Sequence, residues 1–186
     1  MSKKILVVVD MQKDFIDGAL GSAEAVKIVE GCKAKIEAAV AAGDTVIFTR
    51  DTHGEDYMNT EEGKNLPVVH CIKGTAGWEI ESCLTKAAGN ALILDKETFG
   101  SKELGHKVSE ILAADKNIES VELCGLCTDI CVISNALLIK AFNPNIPISV
   151  DATCSAGVTP DSHDTALKAM ASCQIKVSGQ GTEPWR

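Results

Sequence analysis

The sequence predicts an α/β fold in three layers, a mostly parallel β-sheet with helices on both of its faces. Three observations predict it. Short runs of aliphatic and β-branched residues recur along the chain and end in polar residues, as strands buried on both faces of a parallel sheet do. Amphipathic stretches of helical length separate them, with apolar residues three and four apart. The alternation of strand and helix implies right-handed crossovers between parallel neighbours. A chain of 186 residues with 45% hydrophobic and 24% charged side chains also suits one globular domain, so residues 1–186 are read as a single domain with 179–186 as a loose tail.

The elements follow in order. Residues 5–10, Ile-Leu-Val-Val-Val-Asp, form the first strand, and the amphipathic stretch 23–42 the helix after it. Residues 45–50, Thr-Val-Ile-Phe-Thr-Arg, form the second strand. The polar connection 52–77 breaks the rhythm, being longer than the ~12–15 residues usual for a loop without structure of its own, which points to a functional loop. Strands then follow at 91–95, 120–125, 146–151 and 174–178, with helices at 102–113, 128–141 and 162–171 between them. Ligands of such sheets bind beyond the carboxyl ends of the strands, which directs attention to Asp10, Asp51, Lys96, the Gly125 region and Asp151.

Composition excludes several functions. A net charge of -8 without a basic stripe, and only 4% aromatic residues, argue against nucleic acid as a partner. The longest apolar runs fall far short of the roughly 18 residues of a membrane span. The amino terminus lacks a small-residue cleavage site, so the expected location is the cytoplasm, with eight reduced cysteines that are mostly small buried hydrophobes. A homo-oligomer remains open.

The segment Cys124-Gly-Leu-Cys-Thr-Asp-Ile-Cys-Val132 carries the most chemistry. With Thr128 as N-cap, Cys131 falls in the first helical turn, where unpaired N–H groups favour a thiolate and can hold an oxyanion. Each candidate has a plainer reading on its own: Cys131 as packing, Asp10 as a loop cap, Lys96 as a solvated strand-end lysine. Together they place a base, an electrostatic tuner and a nucleophile at one sheet edge. Cys124, Cys127 and Cys131 have no fourth thiol nearby in sequence, which argues against a structural metal there.

Three motifs resemble the isochorismatase-like cysteine hydrolase superfamily, and within it the nicotinamidase branch. They are Val8-Val-Asp-Met-Gln-Lys-Asp-Phe15, the pair Asp95-Lys96, and Gly125-Leu-Cys-Thr-Asp-Ile-Cys-Val132, and the likeness runs from about residue 4 to residue 177. The resemblance implies a six-stranded, doubly wound, Rossmann-like α/β/α sheet and a cis peptide between Leu126 and Cys127. It implies Asp10, Lys96 and Cys131 as catalytic residues, with the backbone N–H groups of Cys127 and Cys131 as oxyanion hole. It implies Phe15 and Leu126 as walls of the substrate pocket, to which Phe99 or Trp78 could add ring contact. Cys127 is close enough in sequence to trap an oxidised Cys131.

A second cluster lies in the long loop, in Asp51-Thr-His53 and at His70. An aspartate and two histidines suit a divalent transition metal such as zinc, iron or manganese. The resemblance implies Asp51, His53 and His70 as its ligands, with Glu62 a fourth candidate, and a metal that receives a pyridine nitrogen. The chain departs from many nicotinamidases in having Leu66 before Pro67, where they carry a tryptophan, and Tyr57 in place of a second nearby histidine. The implied reaction is hydrolysis of a small carboxamide, nicotinamide first, to the acid and ammonia through a Cys131 thioester. The alternatives are a relative acting on N-carbamoyl or ureido compounds, and a non-catalytic member of the fold; Cys131 argues against the vinyl-ether hydrolases, which do not use a cysteine nucleophile.

Overall fold

A computed structural model describes residues 2–186. Six strands form one sheet: β1 (Lys3–Val9), β2 (Thr45–Asp51), β3 (Leu92–Lys96), β4 (Ile118–Leu126), β5 (Ile148–Ala156) and β6 (Lys176–Ser178), in the spatial order β3-β2-β1-β4-β5-β6. All the pairings are parallel. The chain runs outward from β1 to β3, then returns to β4 on the other side of β1. The switch point of this doubly wound sheet therefore lies between β1 and β4, where such folds bind their ligands.

β1 shows why the sheet needs helices on both faces. Leu6 and Val8 point into one core, against Ile28, Cys32 and Ile36 of α2 (Ala23–Ala42). Ile5, Val7 and Val9 point into the other, with Leu104 and Val108 of α5 (Lys102–Ala114), Ile139 of α6 (Ile133–Phe142) and Leu167 of α7 (Pro160–Ser172). Alternate residues of a strand face opposite sides, so a strand aliphatic throughout must be covered twice. The helix ends follow their sequence signals. The Ser22 hydroxyl accepts from Ala25 N–H, Gly43 closes α2 in the left-handed conformation, and Thr159 caps α7 with Pro160 at its start.

Several expectations are corrected. The fifth strand continues to Ala156, so Asp151 lies within β5 and forms an ion pair with Lys35 at 2.7 Å instead of closing the strand at the ligand edge. The connection 52–77 contains two short helical pieces, Tyr57–Asn59 and α3 (Glu61–Asn65), and is closed on itself by a parallel bridge between His53 and Ile72. Two short helices, α1 (Lys13–Ile16) and α4 (Ser82–Ala88), were not anticipated. The segment 128–141 divides into a five-residue π-turn, Thr128–Val132, and α6; Thr128 is its first residue, and Cys127 precedes it.

Residues 179–186 are not a loose tail. Trp185 is 9% exposed and packs into the α2 side of the core, and Glu183 is buried beside His163. A large apolar ring at the penultimate position gains more by burial than the terminal segment loses in chain entropy. Trp185→Ala is expected to lower unfolding stability by about 3 kcal/mol in urea titrations, against less than about 0.5 kcal/mol for a solvent-exposed tail residue.

Candidate active site

The site assembles at the carboxyl edge of the sheet, one group from each of four strand ends. Asp10 directly follows β1 and turns out of the strand with φ +46°. Thr49 Oγ1 donates to Asp10 Oδ1 at 2.6 Å, orienting the carboxyl group. Lys96, last residue of β3, reaches back under β2 so that its Nζ lies 2.7 Å from Asp10 Oδ2, 2.9 Å from Asp51 Oδ1 and 3.5 Å from Cys131 Sγ. Cys131 stands in the π-turn after β4. Gly125 makes that approach possible: with φ +116°, it packs where a Cβ would lie 2.1 Å from Val9 O, so β4 can leave the sheet beside β1 only with glycine there. The Leu126–Cys127 peptide is cis, as the resemblance implied.

Burial dominates the electrostatics. It pushes the Asp10 carboxyl up, against the pull of Lys96. It acts against the Lys96 charge, which Asp10, Cys131 and Asp51 nevertheless hold well above the ordinary lysine range. It opposes the Asp51 charge too, and Lys96 Nζ, 2.9 Å away, offsets that cost. Burial and the adjacent Asp10 push the Cys131 thiol well up, outweighing Lys96. These shifts run against the thiolate that the helix end favours, because one ammonium is already shared between two carboxylates. Cys127 is partly exposed to the cavity, and burial of its sulfur raises its pKa to about 12, so it is no ready nucleophile at neutral pH.

Asp51 also faces a second cluster. Its Oδ2 lies 2.8 Å from His53 Nε2 and 3.6 Å from His70 Nε2, and Glu62 Oε1 lies 3.7 and 3.8 Å from the same nitrogens. These four ligand atoms all lie within 4.8 Å of one another. His70 Nδ1 is 2.8 Å from Val68 O, which can only accept, so Nδ1 carries the hydrogen and Nε2 keeps its lone pair for the cluster. His53 Nε2 is buried without a hydrogen-bond partner, although a carboxylate oxygen is close by. Facing lone pairs at that distance suit a cation between them, and the donor set fits a divalent metal.

A cavity of about 1030 Å³ joins the two clusters, with Phe15, Leu66, His70, Phe99, Leu126 and Cys131 in its wall. Phe15 stands 5.4 Å from the His70 ring, between centroids. Trp78 is not part of the wall; its Nε1 donates to Thr52 Oγ1 at 2.8 Å, and the Arg50 guanidinium stacks 3.4 Å from its centroid. Tyr57 packs on both His53 and His70 and anchors the loop by donating its hydroxyl to Leu66 O at 2.8 Å.

Two supporting residues were not found from the sequence. Gln12 donates to Asp51 O at 2.8 Å and Trp78 O at 2.9 Å and accepts from Asp51 N–H at 2.7 Å, fixing the end of β2. Asn135 donates to Cys131 O at 2.8 Å and Phe99 O at 3.1 Å and accepts from Ser101 N–H at 2.9 Å, locking the π-turn to the loop after Lys96. A buried amide one turn into an aliphatic helix was the available signal for Asn135.

The isochorismatase domain model matches residues 4–180. A zinc-bound pyrazinamidase of Pyrococcus horikoshii is 30% identical, with a TM-score of 0.79, covering 94% of this chain and 98% of that one. A nicotinamidase/pyrazinamidase of Bacillus subtilis is 29% identical, with a TM-score of 0.78, covering 94% and 98%. An N-carbamoylsarcosine amidase of Thermoplasma acidophilum is 30% identical, with a TM-score of 0.74, covering 94% and 95%.

Removing the ammonium leaves two buried carboxylates without their counter-charge. Lys96→Met is expected to cost about 3–5 kcal/mol at pH 7. Asp10 is already raised by burial, and without Lys96 it rises further. The folded variant then holds a proton that the unfolded chain releases, so its deficit against the native protein should narrow as pH falls from about 7 towards 5. Denaturant titrations across that range check the magnitude and the sign.

Proposed function

Because the chain belongs to the isochorismatase family of hydrolases, we propose that it cleaves a small carboxamide, nicotinamide first among them, to the carboxylic acid and ammonia through a thioester on Cys131. The observation that carries this reading is the double use of Asp51, one oxygen on Lys96 and the other facing His53. A cavity walled by both His70 and Cys131 lets a flat ring direct its nitrogen to the histidine cluster while its carboxamide meets the thiol.

The steps follow from the groups present. Asp10 Oδ2 pairs with Lys96 Nζ at 2.7 Å and, as a carboxylate oxygen, keeps a second lone pair for the Cys131 proton. Burial disfavours the anion of either group, so the proton passes between them with one negative charge kept beside Lys96. As the sulfur attacks the amide carbon, the Cys127 and Cys131 N–H groups receive the charge on the carbonyl oxygen. Asp10 then returns its proton to the departing ammonia and takes one from the water that hydrolyses the thioester. Lys96 stays charged throughout and offsets the negative charge as it moves between Asp10 and sulfur. Asp51, His53, His70 and Glu62 would hold a divalent zinc, iron or manganese ion, which supplies a Lewis-acidic contact for a ring nitrogen.

The alternative of an acidic ureido substrate, as the name of the Thermoplasma amidase indicates for that enzyme, is less well served. Among the described residues the cavity wall holds no lysine or arginine to pair with a substrate carboxylate, while Glu61, Glu62 and Glu97 add negative charge.

Ammonia release from nicotinamide, pyrazinamide and N-carbamoylsarcosine, measured with elemental analysis of the protein as purified without chelator, tests the reading. About one equivalent of metal is expected, together with turnover of the ring amides over the ureido acid. Cys131→Ala should lower turnover by about 10³-fold or more. His53→Ala with His70→Ala should lose the metal and raise KM while Cys131 alkylation changes little. Preference for the ureido acid, or a Cys131→Ala variant with near-native rate, would overturn it.

A further inference from the structure

Outside the cavity wall, a hydroxyl, an imidazole and a carboxylate form a line that ends at the first residue of the π-turn. His163 of α7 is fully buried, with Nδ1 2.8 Å from Thr128 Oγ1 and Nε2 3.3 Å from Glu183 Oε1. One tautomer serves both contacts: the carboxylate only accepts, so Nε2 carries the hydrogen and Nδ1 accepts from the Thr128 hydroxyl. Burial lowers the His163 pKa and keeps the ring neutral, consistent with that arrangement. Glu183 is itself fixed by Arg186 and by Gly181 N–H at 2.9 Å. Trp185 closes the line with its ring 5.0 Å from His163 and its Nε1 donating to Ser155 O at 3.2 Å.

The same order of groups activates a hydroxyl in serine hydrolases. Here Thr128 and His163 are fully buried, Glu183 is 4% exposed, and none lines the cavity, so substrate does not reach them. Their place in the fold gives a different use. Thr128 opens the turn whose Val132 N–H reaches back to Cys127 O at 3.0 Å, a wide bonding pattern found mostly as short functional insertions in helices. The next residue is held as well, since Asp129 Oδ1 accepts from Val158 N–H at 3.0 Å. Gly157 lets that loop pass: a Cβ there would lie 2.9 Å from His163 Cβ.

We propose that His163, clamped by Glu183 of the C-terminal segment, is a positioning residue for Cys131, fixing through Thr128 the turn that aims the thiol at Lys96 and the cavity. The inference rests on Cys131 as the nucleophile, and its test separates the two. Thr128→Val removes the hydroxyl hydrogen at nearly constant shape, Thr128→Ser restores it, and Glu183→Gln weakens the hold on His163 with little change of volume. Steady-state ammonia release, the rate of Cys131 alkylation by iodoacetamide mapped by peptide mass, and Tm are measured for each.

In Thr128→Val, kcat should fall about tenfold or more with KM within about twofold, because a displaced attacking atom costs rate rather than binding. Alkylation of Cys131 should change by a comparable factor. Thr128→Ser should recover both, and Glu183→Gln should show a smaller loss of the same kind. The inference is overturned if the Val and Gln variants keep native kcat and alkylation rate while Tm alone falls, or if Ser and Val are equally impaired. If Thr128→Val does not fold, Glu183→Gln decides in the same way. An active Cys131→Ala variant would instead overturn the reading of the nucleophile, whereas the alkylation comparison still tests the clamp without substrate.

Discussion

One buried ammonium organises the site. Lys96 Nζ lies within 3.5 Å of Asp10, Asp51 and Cys131, all of them buried. Burying that charge costs several kcal/mol unless the partners are held in place, and so does burying each carboxylate. The surrounding structure meets this requirement with rigid parts: Thr49 orients Asp10, Gln12 grips the backbone of Asp51, and Asn135 ties the turn of Cys131 to the loop beyond Lys96. The doubly wound topology supplies the rest, because only the carboxyl edge near its switch point brings the ends of β1, β2, β3 and β4 together.

Asp51 couples this charge cluster to the histidines. Its two oxygens face different partners, so a cation on the histidine side and the ammonium on the other compete for one carboxylate. In the proposed reaction, binding of the ring and attack on the amide draw on a single electrostatic unit, a stronger reason for the adjacency of the two clusters than geometry alone.

The candidate catalytic residues were legible as a group because Asp10 and Lys96 come at strand ends and Cys131 lies in the turn that leads into a helix. A run such as Ile-Leu-Val-Val-Val-Asp marks its own end, and sheet topology then brings Asp10, Lys96 and the turn of Cys131 to one edge. The four metal candidates came from resemblance and meet in space as that resemblance implied. Contacts between residues far apart in sequence were illegible: Gln12 with Asp51, and Thr128 with His163. Asp151 was misplaced because polar residues after it read as a strand ending, whereas β5 runs on past them, with Ser155 Oγ donating to Asp151 O at 2.8 Å. The terminal segment was misread by its position and its small polar residues, although Trp185 was the signal that it packs. The burial of Cys131 and its closeness to Asp10, which push its thiol up, are likewise long-range features that its place near a helix start does not reveal.

The central claim is that this arrangement exists to make and break a thioester on Cys131. Rapid-quench intact-mass spectrometry of the native protein during turnover of nicotinamide, followed by peptide mapping, tests it most directly. The account predicts a transient increase equal to the nicotinoyl group, located on Cys131 and decaying as nicotinate accumulates. Turnover with an acyl group on another residue, or trapping of an acyl enzyme by a Cys131→Ala variant, would contradict it.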